Sequence, residues 1–81
     1  MWVKADKEPD EKGYYAVVYY DGRKIFPTAI KYNGYWDNDT NFDLLYYHGP
    51  FSKGVTAFDW AHENIDKAPM SKLLDVYIKG R

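Results

Sequence analysis

Gly13-Tyr14-Tyr15-Ala16-Val17-Val18-Tyr19-Tyr20-Asp21-Gly22, continuing as Arg23-Lys24-Ile25-Phe26-Pro27-Thr28-Ala29-Ile30-Lys31-Tyr32-Asn33-Gly34-Tyr35-Trp36, carries the strongest fold signal in the chain. Two runs rich in aromatic and β-branched residues have the composition of strands. Each ends in Asp-Gly or Asn-Gly, dipeptides that favour tight hairpin turns. Asp and Asn tolerate the left-handed conformation of such turns, and Gly adopts it freely. The pattern predicts antiparallel strands over residues 14–20 and 25–32, with a short third strand opening at Tyr35 and Trp36. A two-residue turn at Asp21-Gly22 would set Val18 opposite Ile25 and Val17 opposite Phe26. The first strand carries Tyr14, Ala16, Val18 and Tyr20 on one face and Tyr15, Val17 and Tyr19 on the other. Both faces are apolar or aromatic, as in a central strand covered on both sides. Pro27 cannot donate to a ladder, so the second strand is expected to be an edge, or bulged, at that point.

Outward from this hairpin, Trp2 and Val3 form a short apolar anchor expected to tuck the N-terminus onto the sheet. The polar residues 5–12 read as a loop. Residues 42–48 read as a fourth strand, and Gly49-Pro50 with Lys53-Gly54 as a turn. Residues 55–62, with their β-branched start and with Phe58 and Trp60 on one face, read as a fifth strand. A helical reading of residues 57–65 is the alternative. In residues 69–79 the period changes: Leu73 and Tyr77, like Leu74 and Ile78, are four apart, which predicts an amphipathic helix. The expectation is one α+β, mostly β domain: an antiparallel meander of four to five strands with a C-terminal helix.

Composition narrows the chemistry. With 81 residues the chain forms a single domain with a thin core. The absence of cysteine removes disulfides, thiolate metal sites and cysteine nucleophiles. Stability must then come from packing, to which an aromatic fraction of 20% is suited. A net charge of −1 provides no general basic field for a nucleic-acid backbone. No apolar run approaches the ~20 residues of a membrane span. A cytoplasmic setting is expected from the missing cysteines and the lack of a signal-peptide core at the start.

Trp2, Pro9, Val17, Val18, Asp21, Gly22, Tyr32, Gly34, Trp36 and Trp60 together resemble the pattern of a family of small phage and prophage proteins known only as a domain of unknown function. The likeness covers about residues 1–63. It rests on a Trp-x6-Pro opening, Asp-Gly, an aromatic-x-Gly-x-Trp hairpin and a tryptophan in a late strand. It implies a small accessory protein of mobile-element or gut-bacterial origin and carries no activity with it.

Three constellations bear on function. Asp37, Asp39, Asn41 and Asp43 alternate like the first half of a calcium loop. Phe42 stands where that loop needs glycine, and His48 where it needs a carboxylate, so no metal or cofactor is expected. His48 and His62, the latter beside Glu63, could serve as bases. No catalytic motif accompanies them, and no catalytic residue is assigned. The tyrosines and tryptophans are the richest feature. Most are expected to be packing residues, with Tyr35, Trp36, Tyr46, Tyr47 and His48 the most exposed and therefore the candidate binding residues. The leading expectation is a non-enzymatic protein-interaction module, with a protein partner or a homodimer. The alternative is an aromatic surface binding single-stranded nucleic acid or carbohydrate, of which nucleic acid is disfavoured by charge.

Overall fold

The computed structural model describes residues 1–37 and 43–68. Strands β1 (Val3–Lys4), β2 (Gly13–Tyr20), β3 (Ile25–Tyr32) and β4 (Asp43–Phe51) form one antiparallel sheet in the order β1-β4-β2-β3. Helix α1 (Gly54–Asn64) and a 3-10 turn (Ile65–Lys67) follow. The α+β, mostly β expectation is met by this four-stranded sheet and its helix. The helix expected over residues 69–79 lies outside the described residues.

Strand β2 is central, and Ala16, Val17 and Val18 are fully buried although successive residues point to opposite faces. On one face Tyr15 and Val17 pack with Ile30, Tyr32 and Tyr47. On the other, Val18 and Tyr20 pack with Leu45, Tyr46 and Ala68, and Ala16 meets Ala57 and Ala61 of α1. Pro27 sits in β3, an edge strand, where its missing N–H is tolerated.

The β2–β3 register differs from the expected one by two residues: Tyr20 faces Ile25, Tyr19 faces Phe26 and Val18 faces Pro27. The cause is the Asp21 carboxylate, which accepts the amides of Arg23 (2.8 Å) and Lys24 (2.9 Å). Those amides hold the Asp21 carboxyl below its usual pKa. Gly22 alone takes the positive φ, +97°, so the reversal is centred on Gly22-Arg23 rather than on Asp21-Gly22. A shift of two keeps every side chain on its expected face. At the second reversal Gly34 has φ +88°, and the expected third strand reduces to a single bridge between Tyr32 and Trp36. Trp36 instead lays its ring against Tyr15, Tyr32 and Tyr47.

The expected fifth strand, residues 55–62, is helix α1. Val55, Thr56, Phe58 and Trp60 favour a strand locally, but Ala57 and Ala61, four apart, form a smooth stripe that seats on Ala16. All three alanines have 0% exposure. Tertiary contact therefore overrides local propensity, as it must for a helix this short. Trp60, the late-strand tryptophan of the sequence pattern, consequently stands on the helix. It meets the Trp2 ring edge-on at 4.9 Å, and Trp2 Nε1 donates to the Asn64 carbonyl at 2.8 Å. The N-terminal anchor thus docks on the end of α1 as well as on the sheet.

Replacing Ala57 or Ala61 with Leu should overpack the helix–sheet contact and cost about 1–3 kcal/mol in urea unfolding. Val55→Ala, on the outward side of α1, should change stability by less than ~0.5 kcal/mol in the same assay.

Candidate functional site

The residues singled out by sequence fall into different environments. Tyr35 is 65% exposed, as expected of a turn tip. Trp36 is half-buried. Tyr46 and Tyr47 are each only 8% exposed and belong to the two cores on opposite faces of β4, which corrects the expectation that they form an exposed platform. Both faces of β4 are covered, so an aromatic pair there packs inward whichever way each ring points. His48 is half-buried and stacked on Trp60, with centroids 3.9 Å apart and planes 12° from parallel. Its Nδ1 lies 3.0 Å from the Met1 amine and 2.8 Å from the Met1 carbonyl oxygen. His62 rests on Phe58 at 4.3 Å. The structure therefore does not gather the five candidate residues into one surface.

A different surface emerges between α1 and edge strand β3. Tyr14, Ala29, Ile30, Lys31, Asp37, Gly54, Val55 and Phe58 line an open groove of about 520 Å³. Two of these are large apolar side chains turned outward: Val55 is 64% and Phe58 43% exposed. They are three apart on α1, hence neighbours on one helical face. The groove exists because α1 spends its alanine stripe on the sheet and presents the adjoining stripe to solvent. Gly54 brings the start of the helix against the Tyr14 ring, where an added Cβ would lie 3.3 Å from Cδ1. Lys31 Nζ sits 5.8 Å from the centre of that ring. The groove thus has an apolar floor and carries both a cation, Lys31, and an anion, Asp37. A strand reading of residues 55–62 conceals Val55 and Phe58 as a pair, because it places them on opposite faces. The signal that identifies them is Ala57-x3-Ala61, whose four-residue spacing is helical.

Comparison with protein-family models, with curated proteins and with solved structures finds no match.

Among the described residues, no three His, Cys, Asp or Glu side chains are grouped so as to hold a metal ion. Of the Asp37–Asp43 alternation, Asp39 and Asn41 lie outside the described residues. No described helix is long and apolar enough to cross a membrane.

On the sheet face opposite α1, burial pushes the hydroxyls of Tyr15, Tyr32 and Tyr47 above their usual pKa of 10.0. Nearby carboxylates add to this: Glu11 and Asp10 for Tyr15, Glu8 for Tyr32, and Asp10 and Asp6 for Tyr47. The folded state therefore keeps these protons after the unfolded chain has begun to release them. Stability should be unaffected below the unfolded tyrosine pKa of about 10 and should fall as pH rises from there through the folded values. Tyrosinate absorbance during an alkaline titration should show a delayed subset, and that delay should vanish in denaturant.

Proposed function

We propose that this chain is a non-enzymatic protein-interaction module that receives apolar side chains of a partner protein in the groove between α1 and β3. The observation that carries this reading is the pair Val55 and Phe58, large, apolar, adjacent and outward. Apolar side chains grouped on a surface mark sites that become covered. The mixed charges of Lys31 and Asp37 suit the polar rim of a protein interface, which needs no net charge. A nucleic-acid or carbohydrate stacking platform is less well supported, because the aromatic series is mostly consumed by the two cores and a net charge of −1 gives the backbone no attraction. Both histidines lie against aromatic rings, which supports packing roles for them over catalysis. The resemblance to small phage proteins implies an accessory role of that kind, although Trp60, which that resemblance places in a late strand, stands on α1; the lack of cysteine supports a cytoplasmic setting.

Sedimentation equilibrium would register pairing with a second copy. A photo-crosslinking residue at position 58, introduced into the expressing cells, would register another protein. The reading expects a dimer or a discrete protein adduct, abolished by Val55→Glu with little change in Tm. A chain that stays monomeric and yields no protein adduct overturns it.

A further inference from the structure

The face opposite α1 holds a second, smaller cavity of about 250 Å³. Residues 7–11 form one wall, and Tyr15, Tyr47, Gly49 and Pro50 the other. Two tyrosines fasten the loop to the sheet. Tyr15 donates its hydroxyl to the Glu11 carbonyl at 2.6 Å, and Tyr32 donates to Glu8 Oε2 at 3.2 Å. Pro9, between these points, is buried. The loop is thereby held off the sheet with a space beneath it.

Tyr47 belongs to the same face. Its side chain is 8% exposed and lines the cavity, yet its hydroxyl has no hydrogen-bond partner among the described residues. The hydroxyl oxygen itself is not sealed off, because no buried side-chain polar atom among the described residues lacks a partner, so it is open to a group that enters the cavity. Around it the cavity carries Glu8, Asp10 and Glu11 against the single cation Lys7. The space therefore offers an unused hydroxyl, aromatic walls and an excess of acceptors that carry negative charge. Its volume lies below the ~300–1,000 Å³ of pockets for drug-sized ligands, so it is scaled to one side chain rather than to a nucleotide or sugar.

We propose that this cleft binds the guanidinium of an arginine side chain from a partner polypeptide. A guanidinium presents several donors in one plane, so it can meet the Tyr47 hydroxyl and carboxylates of the wall at the same time. Its face also stacks on aromatic rings, which Tyr15 and Tyr47 supply. An ammonium is a point charge with stronger hydration and uses such a setting less well. The inference is independent of the α1–β3 groove. Tyr14 and Tyr15 are consecutive in β2 and point to opposite faces, so the two surfaces lie on opposite sides of the sheet.

The probe is acetyl-Gly-Arg-Gly-amide titrated into the ¹⁵N-labelled full chain. Saturable shifts are expected at Tyr15, Tyr47, Gly49 and residues 8–11, weakening as salt is raised. Tyr47→Phe should weaken binding about tenfold, the scale of one hydrogen bond to a charged group. Asp10→Asn, at an exposed position that does not threaten folding, should also weaken it, whereas Phe58→Glu should leave it unchanged. The same peptide with citrulline, which is neutral and nearly isosteric, should not bind. Equal binding of the citrulline peptide, equal or tighter binding of the lysine peptide, or no saturable shift in the folded chain would each overturn the proposal. Failure here leaves the α1–β3 groove untouched, because its test reads positions 55 and 58.

Discussion

Strand β2 is buried on both faces, and the size of its side chains governs what each face can accept. Ala16 leaves a shallow seat, and a helix presenting its own alanines can settle directly on it. Val18 and Tyr20 continue that face toward Leu45, Tyr46 and Ala68. On the other side, Tyr15 stands with Tyr32 and Tyr47, rings too large to admit a close second layer. That side is closed by the Trp36 ring, which touches all three tyrosines, and by a loop held through tyrosine hydroxyls. With no disulfide available, this unequal double burial is what makes a thin core sufficient.

The two candidate surfaces are consequences of the same inequality. Helix α1 is committed to the sheet through small residues, so its larger apolar side chains are left over on the outside beside an edge strand. The opposite face is committed through aromatic rings, so phenolic oxygens collect at its margin and draw the acidic loop to themselves. One surface is apolar with mixed charge, and the other is aromatic and acidic. A single polypeptide partner could contact only one of them without wrapping around the sheet edge.

Much of the sheet was legible in local chemistry. The uninterrupted apolar character of residues 14–20 marked a central strand, Pro27 marked an edge, and the glycines of Asp21-Gly22 and Asn33-Gly34 marked reversals. The register was not legible, because it turned on whether Asp21 would occupy the turn centre itself or use its carboxylate to hold the next two amides. The helix at residues 54–64 was masked by residues that individually favour strands. The burial of Tyr46 and Tyr47 was not legible either, because alternation along β4 shows only that they face opposite ways, not that both faces are covered.

Local sequence was enough to extend residues 14–20 and 25–32, to reverse the chain between them and to exclude cysteine chemistry, because these depend on backbone preference and residue type over a few positions. Packing settled that residues 55–62 form a helix rather than a strand, and which aromatics remain at the surface. Both outcomes depend on contacts between segments tens of residues apart: Ala16 with Ala57 and Ala61, and Tyr15 with Trp36 and Tyr47. The energy of those contacts belongs to neither partner's local sequence.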